Sequence, residues 1–474
     1  MKHLLACLLW LPVFSFAQDA NYWSDSYGPG GFFAPGAVIA NNRDSGVLFV
    51  NPALLAYTRK SSASISGNLY QYESIRVRNG VGTGLDLTSR NGSVIPEAGA
   101  GIFAFRRWVV GYALTRNPVS VYSVTQRRDA HTDVLDNSYS PGAENYVGQY
   151  AAQNDITETS GVVSLGFKAA RGLALGVTAE GQVRSQDFST NFSSRALYNV
   201  TGTDTLFPPI ASAVETYEAR YTHIGLRLRF GLAYDAGRHH LGVLVATPLL
   251  HLFGRATLYA DEEVNDILLG GVPINLLANA RQTGLPARWK TPASFSAGYA
   301  YDYGGGGQVY VAVSYFTRIG DYNVVTPRND YFIRPDTGSN NASTSALLKF
   351  KSAGRQVFNV GAGCSFPLVR SWLGYASFRT DFTSAARNLY RDDDGYVANT
   401  TAWNQYHLEL GVNLKRPKYN FRPGIALSYG ATSSYRQPFN FDDPNESNLL
   451  TGNPHQTRAG RFSAGLLLAY IHNL

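Results

Sequence analysis

From His223 to Tyr234 the chain alternates without a slip. Ile224, Leu226, Leu228, Phe230, Leu232 and Tyr234 fall on one face, and His223, Gly225, Arg227, Arg229, Gly231 and Ala233 on the other. A period of two places such sets on opposite sides of a sheet. One side suits lipid. The other carries two arginines and must meet water or polar groups. About ten to twelve residues alternate, the length that crosses a bilayer when a strand is tilted. The pattern returns at Trp108, Val110, Tyr112 and Leu114; at Leu173, Leu175, Val177 and Ala179; and at Phe295, Ala297, Tyr299 and Tyr301. It returns again at Phe358, Val360, Ala362, Cys364 and Phe366, and at Tyr406, Leu408, Leu410, Val412 and Leu414. Tyr and Trp recur near strand ends, as interfacial girdles require.

The connections set the architecture. Some are tight: Arg106-Arg107, Ala170-Arg171-Gly172, Asp235-Ala236-Gly237, the glycines Gly304 to Gly307, Arg370-Ser371 and Arg416-Pro417. Between them lie polar stretches, expected as long loops, at 73–96, 126–158, 185–214, 250–286, 318–354, 384–401 and 432–458. Short and long alternate throughout. The expectation is an all-β chain: a transmembrane antiparallel β-barrel of about 14 strands, long loops at one end, tight turns and both chain ends at the other. The last strand alternates Phe462, Ala464, Leu466, Leu468 and Tyr470 with Arg461, Ser463, Gly465, Leu467 and Ala469. It resembles the terminal strand read by the barrel-assembly machinery, although Leu474 stands where a Phe is usual.

Composition narrows the class. The 474 residues hold Tyr 30, Phe 25 and Gly 47, but Met 1 and Cys 2. Mean hydropathy is slightly negative, which disfavours a helical membrane protein. No run of eighteen apolar residues follows the first segment, so a membrane location demands a closed barrel. The net charge of +7 is scattered, and nucleic acid is not an expected partner. Residues 1–17 read as a secretory signal: Lys2 and His3, an apolar Leu4 to Phe16, and small residues up to Ala17. Cleavage there leaves Cys364 as the sole cysteine, so no internal disulfide is expected.

Residues 18–35 are aromatic and Gly/Pro-rich, with Tyr22, Trp23, Tyr27, Phe32 and Phe33. Such rings are costly to leave in water, so they are expected inside the barrel, with Phe32 and Phe33 lining a hydrophobic path. Next comes GAVIANNRDSGVLFVNPALLAY, Gly36 to Tyr57, which is not ordinary strand sequence. Pro52 denies a ladder hydrogen bond. The segment reads as a plug, giving a tail and hatch at 18–57 and a barrel at 58–474.

Ala40, Asn41, Arg43, Asp44, Ser45 and the triplet Asn51-Pro52-Ala53 resemble the N-terminal hatch of the FadL family, outer-membrane channels for long-chain fatty acids and other hydrophobic compounds. That family usually has Gly after the triplet; here Leu54 follows. The resemblance implies passive uptake of hydrophobic molecules across the outer membrane of a Gram-negative bacterium. It also implies gating by the plug, with Arg43, Asp44, Asn51, Pro52 and Ala53 as hatch residues. Outer-membrane lipid, a hydrophobic small molecule and, during biogenesis, the barrel-assembly machinery are the expected partners.

Arg227 and Arg229 are candidate substrate residues, because Arg can clamp a carboxylate with two parallel hydrogen bonds. Internal ion pairing is the competing expectation, and Arg379, Asp381, His407 and Glu409 are read as lumen or hatch–wall contacts. Asp392-Asp393-Asp394-Gly395 hints at Ca²⁺, but its spacing fits no EF-hand loop. No cofactor and no metal site is expected, and no catalytic motif appears. A general aqueous porin or a structural barrel would share every strand feature; only the plug argues against them. An outer-membrane enzyme needs a nucleophile–base pair that nothing here demands. A haem receptor would rest on scattered histidines alone.

Overall fold

The computed structural model describes residues 21–23, 37–40, 45–58, 60–199, 208–269, 272–334, 343–369, 371–386, 395–398 and 402–474. The fold is a closed antiparallel barrel of fourteen strands. Six continuous strands open it: β1 Ser62–Val77, β2 Leu87–Ala104, β3 Trp108–Thr132, β4 Glu144–Ala170, β5 Leu173–Leu197 and β6 Ile210–Ala236. Two interrupted strands follow. β7 is built from His239–Ala246 and Leu250–Leu269, and β8 from Val272–Pro286 and Ser294–Gly304. The circuit ends with β9 Gly307–Phe316, β10 Val357–Val369, β11 Trp372–Asp381, β12 Gln405–Lys415, β13 Tyr419–Arg436 and β14 Gln456–Asn473. β14 closes on β1, from Ser62↔Asn473 to Val77↔Ala459.

The alternation does what the sequence pattern predicts. On β6, Phe230 and Leu232 point outward, 49% and 38% exposed, while His223 and Ala233 point inward and are fully buried. Around the barrel Leu114, Val163, Val243, Phe358, Phe378, Leu408, Ile425 and Leu466 are likewise exposed. So continuous a greasy belt is stable only against lipid.

The polar stretches differ from expectation. Much of 126–158, 185–214 and 250–286 is strand, and the strands run far past the lipid belt. β4 alone has 27 residues, about 90 Å of extended chain at roughly 3.3 Å per residue. On β5 and β6 the outward pairs are apolar up to Val183↔Ile224, then turn polar at Ser185↔Thr222 and Asp187↔Arg220. Above the membrane both faces can be polar, so the alternation that marks a strand vanishes from the sequence while the ladder hydrogen bonds continue.

The upper lumen is filled by returning chain. A hairpin of Ile319–Val325 and Phe350–Gly354 buries Val324, Val325 and Phe350 against Tyr217 and Leu258. Residues 437–454 bury Phe439, Phe441 and Leu450 beside Tyr122, Tyr150 and Phe192, with Phe192 and Phe439 stacked at 4.0 Å. Glu446 pins this lid. Its carboxylate accepts from Asp136 N (3.0 Å) and Leu268 N (2.7 Å), joining the lid to the β3–β4 loop and to the end of β7. Glu446→Ala takes the carboxylate from both amides and leaves Asp136 N only a long bond to Tyr139 Oη (3.4 Å), a local loss of about 1–3 kcal/mol. Limited proteolysis should then cut at residues 133–143, with heat-modifiable electrophoretic migration of the barrel unchanged.

Candidate functional site: a seated hatch beneath two lumen cavities

Inside the turn end of the barrel lie a short helix, Ala37–Ala40, and two 3-10 turns, Ser45–Leu48 and Pro52–Tyr57. Asn51 starts the last of these. Its extended backbone and the proline after it suit a helix start. Asn51 is fully buried. Its Oδ1 accepts from Ala53 N at 3.1 Å. Its Nδ2 donates to Ile39 O at 2.7 Å and to Leu232 O of β6 at 3.2 Å. One amide thus caps the turn, ties it to the preceding helix and fixes it to the wall. Tyr57 Oη adds bonds to Gly172 O (2.6 Å) and Ala233 O (3.2 Å). Leu54, the departure from the family triplet, is buried with Val47, Leu48 and Leu55 in one apolar cluster.

The wall is shaped for this segment by glycine. Gly111, Gly166, Gly176, Gly231, Gly242 and Gly298 lie on six strands, and a methyl at any of them would sit within 3.0 Å of the hatch. The register joins Gly166↔Gly176↔Gly231 across β4, β5 and β6, and Gly242↔Gly298 across β7 and β8. At Gly166, Gly176 and Gly242 the close neighbours include hatch backbone, which a rotamer change cannot move. Sequence reasoning missed this seat. Its signal was present: glycines at inward positions, several residues from tight turns.

Farther round, the tail residues 21–23 are held by β11 and β12. Asp381 Oδ1 accepts from Tyr22 N (3.1 Å) and Trp23 N (3.0 Å), and Gln405 Nε2 donates to Asn21 Oδ1 at 3.0 Å. Tyr22 stacks on Phe316 at 4.7 Å. Arg379 pairs with Glu409 at 3.2 Å, and His407 lies 3.6 Å from Asp381. These four residues, expected from the sequence as lumen or hatch–wall contacts, pair with one another in the lumen, and Asp381 holds the tail rather than the hatch segment.

Above the hatch is a cavity of about 260 Å³. Four arginines reach it, and three are ion-paired: Arg184 with Glu158 (2.5 Å), Arg229 with Glu180 (2.6 Å), and Arg379 as above. Arg229 also donates to Phe49 O, so it bridges wall and hatch. Arg227 differs. It donates to Thr291 Oγ1 and, among the described residues, has no carboxylate at ion-pair distance; its buried Nε has no acceptor. Higher still, Tyr122, Tyr150, Phe188, Tyr396, Tyr435 and Phe439 line a second cavity of about 250 Å³.

The wall is interrupted beside the lower cavity. β2 and β3 pair only from Ala98↔Thr115 to Ala104↔Val109, although both continue upward. Farther up they meet through side chains: Ser89 Oγ accepts from Ser123 N (3.1 Å), and Gln126 Nε2 donates to Asp86 O (3.0 Å). A register shift between Pro118 and Ser120 lies in the unpaired zone, and Val119 there lines the cavity. A second break, between β7 and β8, is covered by the inner hairpin, where Arg288 N donates to Val324 O at 2.8 Å.

Of the sequence-predicted site residues, Asn51, Pro52 and Ala53 lie together in the hatch and Arg227 and Arg229 on the cavity wall. Phe32, Phe33, Arg43 and Asp44 lie outside the described residues, as do residues 1–20 and Asp392, Asp393 and Asp394. Among the described residues no group of three His, Cys, Asp or Glu is placed to hold a metal, and no helix is long and apolar enough to cross a membrane.

No family model and no curated protein matches the sequence. Solved structures do. A FadL homologue of Pseudomonas aeruginosa superposes with a TM-score of 0.57 at 14% identity, covering 97% of this chain and 100% of that one. The Pseudomonas putida toluene transporter TodX gives 0.54 at 13%, covering 98% and 100%. The Ralstonia pickettii toluene transporter TbuX gives 0.53 at 13%, covering 95% and 98%. At such identities the likeness speaks for the fold. The fourteen-strand circuit that these structures match over nearly their whole length, together with its internal N-terminal segment, gives this chain the fold of the FadL-type transporters.

Proposed function

We propose that this barrel is a passive channel of the Gram-negative outer membrane for hydrophobic molecules carrying an acidic end, long-chain fatty acids foremost, gated by the N-terminal hatch. The observation that carries the reading is Arg227, which among the described residues has no carboxylate at ion-pair distance because its register neighbour Glu180 bonds Arg229 instead, and which lines a cavity below an aromatic one. The aromatic cavity takes the acyl chain, where each buried methylene gains about 0.8 kcal/mol. Arg227 takes the carboxylate through charge-assisted hydrogen bonds. Unseating the hatch opens the lower cavity, and the unpaired zone between β2 and β3 offers release sideways into the membrane. The gradient supplies the energy. A general porin is a poorer reading, because the lumen is crossed by a bonded hatch and an aromatic lid.

The test is ligand binding and uptake by proteoliposomes. Arg227→Gln should weaken oleate binding roughly tenfold or more, the scale of a hydrogen bond to a charged group. Binding of a neutral hydrocarbon such as toluene should not change. Equal losses for both ligands, or none for either, would sink the assignment of Arg227 and with it the acidic-ligand reading.

A further inference from the structure

The charge of the turn end is one-sided. Arg106 and Arg107 form the β2–β3 turn, Lys168 and Arg171 flank the β4–β5 turn, and Arg238 lies in the β6–β7 turn; all are exposed. Lys415, Arg416 and Lys418 surround the β12–β13 turn, and Lys60 precedes β1; these too are exposed. Closure places the two groups side by side, since Asn473 N donates to Lys418 O and Leu474 N to Ser61 O. Together they form an arc running from β12 through β14 and β1 to β7. Among the described residues the acidic side chains at this end are Asp235 and Asp302, both beside His240 at 3.5 and 3.0 Å. The opposite end behaves differently. There Arg76 meets Asp86, Arg127 meets Asp129 (2.7 Å) and Arg128 meets Asp442 (3.3 Å).

Depth matters as much as sign. Arg106 and Arg107 lie between Phe105, 64% exposed, and Trp108, 46% exposed. Tyr419 follows Lys418 and is exposed, as is Tyr234 near Arg238. Outward aromatic rings at strand ends sit at the level of lipid headgroups. The cations therefore stand at phosphate depth and, among the described residues, none of them has a carboxylate at ion-pair distance. We propose that this arc docks anionic phospholipid headgroups, phosphatidylglycerol or cardiolipin, of the leaflet facing the tight turns. Each Lys or Arg near an anionic surface strengthens attraction roughly fivefold, so several in one arc select anionic over zwitterionic lipid. The selection orients the barrel's rim and holds an annulus of anionic lipid beside the β2–β3 turn.

The experiment is native mass spectrometry of the full barrel with equimolar phosphatidylglycerol and phosphatidylethanolamine. The expected result is a preference for retained phosphatidylglycerol of roughly tenfold or more at low salt. Arg106→Gln combined with Arg107→Gln, Arg171→Gln and Arg238→Gln should lower that preference by about tenfold or more, by the same reasoning. Arg127→Gln with Arg220→Gln, at the other end, should leave it intact. Should the fourfold variant fold poorly, the parent still decides, because its preference must fall as salt shortens the screening length from about 10 Å toward 3 Å. Equal retention of the two lipids, or a preference indifferent to both salt and the turn-end substitutions, overturns the proposal and points the arc toward an acidic protein. Asn51→Ala, which disturbs only the hatch, should not alter lipid preference, so this proposal and the channel reading fail separately.

Discussion

Asn51→Ala should raise the conductance of the barrel in planar bilayers several-fold while its folding, read by heat-modifiable migration, stays as in the parent. The reason is the concentration of tasks in one amide. Substitution removes the cap on Ala53 N and strips a donor from two carbonyls, Ile39 O and Leu232 O. A lost cap costs about 1 kcal/mol, and a buried group left without its partner costs about 1–3 kcal/mol. The hatch has little secondary structure of its own to absorb that. It is held by Asn51, by Tyr57, by Arg229 through Phe49 O, and by apolar burial. Loss of the first leaves a segment that partly leaves its seat. Asn51→Asp is the informative partner. It keeps the acceptor for Ala53 N, removes the donor and sets a carboxylate against two carbonyls, so it should open the channel at least as much. Unchanged conductance in both variants would mean that the hatch is held elsewhere.

The second large effect belongs to the seat. Gly176→Val should open the lumen even more than Asn51→Ala, with no loss of barrel stability. Gly176 lies in a regular strand, where a β-branched residue fits better than glycine. A Cβ there meets the backbone of Pro52 and Ala53. Since neither partner can yield by rotating a side chain, the hatch must shift. Gly161 on β4 and Gly181 on β5 are the controls: a Cβ at either meets nothing within 4 Å, so valine should leave conductance near the parent value. A Gly176→Val barrel as closed as the parent would show that the seat tolerates displacement and that plugging does not depend on this fit.

How much of this was legible in the sequence varies by level. The strand faces were, because lipid on one side and a polar lumen on the other force a period of two on residues such as Ile224 to Tyr234. The strand count was too, because tight turns carry recognisable punctuation: Arg171-Gly172, Ala236-Gly237 and the four glycines from Gly304. Strand length was not. Above the lipid belt, Ser185, Asp187, Arg220 and Thr222 are polar and outward on perfectly paired strands, and a polar outward face looks like a loop when read in one dimension. The interruptions of β7 and β8 were hidden for a related reason. Pro248 and Pro292 flag a break, but only the pairing tells whether a break ends a strand or jogs it.

The site divides along the same line. The triplet Asn51-Pro52-Ala53 was visible because Pro52 denies a ladder hydrogen bond, a local signal with a local cause, and because the triplet resembles a known hatch motif; that Asn51 caps the turn was not. Arg227 and Arg229 were visible as lumen cations, two residues apart and equivalent. The fold separates them: Glu180, the register neighbour of Arg227 on β5, turns its carboxylate to Arg229, whereas Arg227 bonds Thr291. Likewise, inward glycines on different strands read as unrelated small residues. They become a seat only when register brings Gly166, Gly176 and Gly231 level and the hatch lies across them. By itself, then, the sequence determined what short-range physics can write: alternation, turns, a proline that breaks the strand pattern and the membrane-facing belt. Which arginine is paired, which glycines touch the hatch and where the wall is open were decided by tertiary structure. Those properties depend on the relative height of strands far apart in the chain, and no local pattern encodes that height.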